Sequence, residues 1–214
     1  MNLRASRKVS RRWPLISGIV AVVLTAALGL VIGQRSGDLP FEFDSGWMDE
    51  ALEERSIWLD APARLMDWFG GGWFGVVVVP ACIVILLCVA GRYWGAAYYA
   101  IAALISVGLV QLLKSVVDRA RPEDILVVTD AGSFPSGHVA NAATMAVVLA
   151  IIMNRWWVWC VGVAYLVLMA LSRTYLGAHW VSDTVGGALV GAGIAVIVWA
   201  PLAYRLDRER PRRR

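Results

Sequence analysis

Six apolar runs occupy most of this 214-residue chain: Leu15 to Ile32, Trp73 to Ala90, Ala96 to Leu113, Val139 to Met153, Trp156 to Leu171 and Thr184 to Ala203. Each is long enough, or nearly so, to cross a bilayer hydrocarbon core of about 30 Å. The expected fold is an all-α integral membrane protein, six transmembrane helices in one bundle, forming a single domain over residues 1–214. The fourth and fifth runs are short, so their helices extend only if the polar residues flanking them are buried in protein. With 59% apolar residues and 11 tryptophans, the chain is too apolar for an ordinary soluble domain.

The first run follows a basic stretch, Arg4, Arg7, Lys8, Arg11 and Arg12. That pattern also fits a cleaved signal peptide, but the run is long for one and no small-x-small cleavage site follows it, so a retained span is expected. Cys82, Cys88 and Cys160 all fall inside runs, where they act as small hydrophobes and imply neither a disulfide framework nor a metal cluster. Basic residues at both ends of the chain, and near Arg92 and Arg155, predict that these four segments are cytoplasmic. The acidic stretch from Asp38 to Asp67, the loop Lys114 to Gly137 and the turn Arg173 to Asp183 then share the extracytoplasmic face. Within the first of these, residues 45–69 read as an interfacial helical segment, with Pro62 restarting a second short piece. The paired glycines Gly29/Gly33, Gly71/Gly75 and Gly187/Gly191 predict close packing within the bundle. A net charge of +4 makes the arginine-rich tail a topology signal and lipid contact, with no nucleic-acid partner implied.

The two histidines, His138 and His179, each interrupt membrane-like sequence within a polar cluster. Ionisable residues in such places are expensive and point to chemistry. His179 and Asp183 are four apart, so on a helix they share a face. The carboxylate can then accept the proton-bearing nitrogen while the other nitrogen faces a substrate. Arg173 can return across the turn at Gly177. Ser136 and Gly137 open the fourth run, where free N–H groups at a helix start form an anion cradle beside His138. Lys114 and Arg121, seven residues or about two helical turns apart, can face one point. Arg119 and Asp118 lie in the same stretch. Three cations, a glycine turn, two imidazoles and one carboxylate suit phosphoryl transfer, which needs positioning and charge neutralisation above all. No carboxylate cluster in these loops resembles a two-metal site.

The order Lys-x6-Arg-Pro, Pro-Ser-Gly-His, Ser-Arg-x5-His-x3-Asp resembles the three-part signature of the type 2 phosphatidic acid phosphatase superfamily. The resemblance implies that His179 is the nucleophile forming a phosphohistidine, Asp183 its orienting partner, and His138 the acid that protonates the leaving group and then activates water. It further implies that Lys114, Arg121, Arg173, Ser136 and the Gly137 backbone hold the phosphoryl oxygens, with no metal and no cofactor. The expected activity is a membrane lipid phosphatase at the outer leaflet of a bacterial plasma membrane. The favoured substrate is polyprenyl pyrophosphate, with Arg119 holding the second phosphate; a phosphatidic acid or phosphatidylglycerophosphate phosphatase is the alternative. Six spans argue against a soluble vanadium haloperoxidase with the same oxyanion site, and a non-catalytic lipid-binding protein would not require the His179/Asp183 pair.

Overall fold

A computed structural model describes residues 12–35 and 40–209. They form α1 (Arg12–Gly33), α2 (Glu42–Glu53), α3 (Ile57–Gly70), a π-helical turn (Phe74–Val78) running into α4 (Val79–Val89), α5 (Tyr93–Val117), α6 (Gly137–Met153), α7 (Trp156–Tyr175) and α8 (Val181–Arg208). No strand occurs among the described residues. The basic segments before Arg12 and after Glu209 lie outside them, apart from Arg12, Arg205 and Arg208.

Among the described residues, four helices, α1, α5, α7 and α8, are long and apolar enough to cross a membrane. A fifth crossing exists if α3 and the stretch Phe74–Val89, bent by 48° at a short break, count as one span. The helix expected over the fourth run, α6, has 17 residues and falls below that length. The chain is therefore a multi-pass, all-helical membrane protein. Its outward surface agrees, since Ile16, Leu24, Leu86, Val89, Val161 and Leu168 are all at least half exposed. An apolar exterior of this extent is what lipid, rather than water, solvates. The three cysteines are unpaired and lie on α4 and α7.

The longest helix, α8, is also the best buried: half of its apolar window lies inside the protein, against 22% for α1 and for α5. Small residues explain this. A Cβ on Gly191 would collide with the Ala140 carbonyl of α6, and one on Gly193 would lie 2.9 Å from the Gly18 carbonyl of α1. Where lipid tails compete equally for apolar side chains, such close backbone approach supplies the packing. The Gly187/Gly191 pair thus lies at a helix contact within the bundle, whereas Gly33 has no atom within 4 Å of its would-be Cβ.

Residues 45–69 fold as two helices, with the break at Glu54–Ser56. Pro62 lies inside α3 instead of restarting the helix. The break sits upstream because tertiary contacts hold it: Ser56 N–H donates to the Tyr175 hydroxyl (3.0 Å), and Arg55 reaches the carbonyls of Asp124 and Tyr175. Farther along α3, Arg64 donates to the Leu126 carbonyl (2.8 Å) and the Ala63 carbonyl accepts from Ser172 (2.8 Å). The loop between α5 and α6 is thereby tied to α3 and to the end of α7.

Replacing Gly191 with Val should cost about 1–3 kcal/mol through overpacking against α6. Gly108→Ala, which meets nothing within 4 Å, should change stability little. Thermal unfolding in detergent compares them; equal melting temperatures would remove α8 packing as a determinant of the fold.

Candidate active site

Where α5 ends, α6 begins and α7 turns into α8, the helices enclose a cavity of about 410 Å³. Its polar wall carries Lys114, Arg121, His138, Arg173 and His179, with Asp130, Gly137 and Asn141; Val76, Val77, Val107, Val110 and Val128 supply apolar surface. All three sequence clusters thus contribute to one place. A second cavity, about 380 Å³, lies among α2, α3 and α7 and is lined mainly by apolar residues such as Leu59, Pro62, Met66 and Leu168.

His179 is placed by the turn after α7. Gly177 adopts φ +66°, and a side chain there would strike the Asp124 carbonyl, so glycine is required on both counts. The Ala178 and His179 N–H groups then fold back onto the Arg173 carbonyl (3.1 and 3.3 Å). His179 precedes Trp180, the N-cap of α8, and is therefore not on the helix with Asp183. Its Nδ1 lies 2.8 Å from the Ser133 carbonyl but 3.6 Å from Asp183 Oδ2. A carbonyl only accepts, so Nδ1 carries the proton and Nε2 keeps its lone pair, 3.5 Å from Arg121 Nη1. The carboxylate expected to hold this proton is thus displaced by a backbone carbonyl. Burial first, then the charges of Arg173, Arg121, Lys114 and His138, hold the His179 pKa well below the ordinary imidazole value, so the ring is neutral at pH 7.

Asp183 is occupied elsewhere. It accepts the Trp180 N–H (2.9 Å), as an N3 carboxylate does at a helix start, and binds Arg119 Nη1 at 2.6 Å. Its own carbonyl accepts the Ser136 N–H (3.0 Å). Arg119 is 2% exposed and also binds Ser182 (2.7 Å) and Asp44 of α2 (2.8 Å). This corrects the expectation that Arg119 holds a second phosphate: the guanidinium is buried between two carboxylates and does not line the cavity.

The three cavity cations are matched by two carboxylates of the chain itself. Lys114 Nζ binds both oxygens of Asp130 (2.8 and 2.9 Å), and Arg121 Nη2 binds Oδ1 (2.7 Å). Both cations also reach the Gly132 carbonyl (3.2 and 2.8 Å). Burial works to raise the Asp130 pKa, but the Lys114 hydrogen bond and the charges of Lys114 and Arg121 outweigh it and hold it below the ordinary carboxylate value. Arg173 pairs with Asp67 of α3, which also lies 3.0 Å from His138 Nε2. Among the described residues, two buried donors at this site have no partner, Arg173 Nε and Ser136 Oγ. Ser136 is the extended N-cap of α6, and Gly137 after it borders the cavity.

Asp44, Asp67, Asp130 and Ser133 were not among the residues expected at the site. Asp67 carries a legible signal, a lone carboxylate among Met66, Trp68 and Phe69 just before three glycines, since a charge in an apolar stretch needs a partner. Nothing comparable marks Ser133, which acts through its backbone. Among the described residues, no group of three or more His, Cys, Asp or Glu side chains could hold a metal ion.

Residues 95–207 match the model of the PAP2 superfamily. The chain is 32% identical over 104 residues to an undecaprenyl-diphosphatase of Sulfolobus acidocaldarius, a match covering 45% of this chain and only 50% of that protein. It is 31% identical to a decaprenylphosphoryl-5-phosphoribose phosphatase of Mycobacterium tuberculosis, over 71% of this chain and 84% of the relative. Its fold is similar to that of the crystal structure of a transmembrane PAP2-type phosphatidylglycerolphosphate phosphatase from Bacillus subtilis, with a TM-score of 0.75 at 22% identity, covering 92% of this chain and 99% of that one. With the family model matched over more than half its length and all three motif clusters meeting at one cavity, the chain belongs to the PAP2 superfamily.

Proposed function

We propose that this protein is a metal-independent lipid phosphatase that releases a terminal phosphoryl group from a polyprenyl-type lipid through a phosphohistidine on His179. The observation that carries this reading is the placement of His179: its Nδ1–H donates to the Ser133 carbonyl, which leaves Nε2 unprotonated beside Arg121 in a cavity that also holds Lys114 and Arg173. Nε2 attacks phosphorus, the P–O ester bond breaks, and His138 gives its proton to the departing oxygen. His138 then takes a proton from water, whose oxygen displaces His179 and frees phosphate. Lys114, Arg121 and Arg173, with Ser136 Oγ and the Gly137 backbone, hold the phosphoryl oxygens as charge shifts. Asp183 acts on His179 by fixing the start of α8 and, at 3.6 Å, by stabilising positive charge that develops on the ring.

Charge bears on the substrate. Three cations against Asp67 and Asp130 leave a net charge of +1 before the histidines are counted. With Arg119 withdrawn, that balance suits a terminal monoester better than a diphosphate. The valine-rich part of the cavity offers no partner to ester oxygens and suits an isoprenoid stem. One observation favours a glycerophospholipid instead: Gln111 and Thr129 border the same cavity and can hydrogen-bond glycerol oxygens. We further infer six crossings, with α6 as the short one, both termini cytoplasmic and the site at the outer leaflet, a reading supported by the basic residues at the chain ends.

His179→Ala should abolish phosphate release and His138→Ala should reduce it by about 100-fold or more, while EDTA leaves the wild type active. A His179→Ala protein retaining more than a few per cent of the wild-type rate refutes the nucleophile. In one detergent, kcat/KM should fall in the order polyprenyl monophosphate, farnesyl pyrophosphate, phosphatidic acid, and Arg119→Ala should depress all three by the same factor. A selective loss on pyrophosphate would restore Arg119 to substrate binding, and a preference for phosphatidic acid would favour the glycerophospholipid reading. For the topology, Ala131→Cys in a cysteine-free background should react with an impermeant thiol reagent on intact cells and Arg208→Cys should not; the reverse pattern overturns the assigned side.

A further inference from the structure

We infer that Asp67 is a positioning residue for this reaction, holding the acid His138 and the phosphate-binding Arg173 in one geometry from α3. The inference rests on the phosphatase reading above. Asp67 lies outside the matched residues 95–207 and outside all three motif clusters.

Three observations converge on it. Asp67 Oδ1 lies 3.0 Å from His138 Nε2 and bonds Arg173 Nη1 as well, so one oxygen joins groups from α6 and α7. The Asp67 carbonyl stands 3.1 Å from the same Nε2. The α3 chain end closes around the ring: any side chain on Gly71 would occupy the imidazole's place, and Asn141 of α6 anchors this turn through the carbonyls of Gly70 (3.2 Å) and Gly75 (3.0 Å). Nε2 is therefore enclosed by acceptors, and a nitrogen facing acceptors carries a proton. Among the described residues, Nδ1 has no hydrogen-bond partner, which leaves it as the nitrogen that serves the leaving oxygen. His138 borders the cavity that holds His179.

The proton balance follows. The form that acts as the acid has both nitrogens protonated, and its positive charge then rests on Asp67. As the P–O bond breaks, the Nδ1 proton passes to the ester oxygen and the ring stays neutral, its Nε2–H still held by Asp67. In the second half, Nδ1 takes one proton from the water whose oxygen bonds phosphorus, restoring the starting state. A carboxylate on one imidazole nitrogen fixes both the ring plane and the tautomer for work at the other. The Ser133 carbonyl does this for His179, whereas on His138 the carboxylate of Asp67 does it and also balances the charge of the doubly protonated ring.

Leaving-group dependence separates this role from a structural one. An alkyl or polyprenyl phosphate releases a poor leaving group that needs the acid, whereas p-nitrophenyl phosphate releases a stable phenolate that does not. In Asp67→Asn, which keeps the side-chain shape, kcat/KM for the lipid phosphate should fall about 100-fold, in line with loss of general acid catalysis. For p-nitrophenyl phosphate the fall should be at least ten times smaller, reporting only the weaker hold on Arg173. Because both rates come from one preparation, their ratio is independent of the folded fraction. Equal losses on the two esters would overturn the positioning role while leaving the phosphatase reading intact. A gain on both would overturn it too, marking Asp67 as a carboxylate that blocks the phosphate's place. A wild-type protein that releases phosphate from neither ester refutes the underlying phosphatase reading itself.

Discussion

The Asp183 carboxylate and its backbone tie together parts of the chain that are far apart in sequence. Its side chain accepts the N-cap N–H of α8 and the Arg119 guanidinium, and its carbonyl accepts the Ser136 N–H that starts α6. Arg119 carries the connection on to Asp44 of α2, which also accepts from the Ser182 N–H (2.9 Å) and hydroxyl (2.6 Å). One buried network thereby sets the starts of two helices and the course of the loop between α5 and α6. Removing one member would leave a charge stranded away from water, at a cost of about 3–5 kcal/mol. The same network fixes where His179 stands, because that histidine is two residues before α8 and its Nδ1 rests on the Ser133 carbonyl of the loop so held.

Much of this architecture was legible in the sequence, for particular reasons. Apolar runs of span length report the bilayer directly, so most helices fall where hydropathy places them. Ionisable residues at the edges of apolar runs are costly and tend to gather, and Lys114, Arg121, His138, Arg173 and His179 do line one cavity. What sequence spacing hid were partners supplied by backbone and by distant helices. Spacing of four suggested that Asp183 orients His179 as on one helical face, but the turn at Gly177 puts the histidine ahead of the helix. Arg119 reads like any other cation until its burial between Asp44 and Asp183 is seen. The break in residues 45–69 follows Tyr175 and Asp124, more than 60 residues away, and no local propensity announces it.

The short helix α6 shows how the site and the fold share one solution. Ala140, Ala142 and Ala143 are essentially buried, and Gly191 of α8 lets the Ala140 backbone come close. A helix so enclosed need not match the full hydrocarbon thickness, since its N-terminal end is covered by protein and not by lipid. Its first turn can therefore open into a polar cavity while its remaining turns stay in the bundle core.

That cavity also explains why its cations are already paired. Three guanidinium or ammonium groups left together in a poorly hydrated pocket would repel one another and forfeit hydration, so carboxylates of the chain fill the anion's role. The two carboxylates differ in how readily they can yield it. Asp130 is 56% exposed on a loop, and moving it returns its charge to water at little cost. Asp67 is 26% exposed, sits on a helix, and is held by two groups at once. Asp130 is thus the carboxylate whose displacement would bare cations, Lys114 and Arg121, at the least cost, and Arg121 stands beside His179 Nε2. Asp67, joined to His138 and Arg173 from a helix, would cost more to move, so the two carboxylates give the cavity one wall that can yield and one that holds.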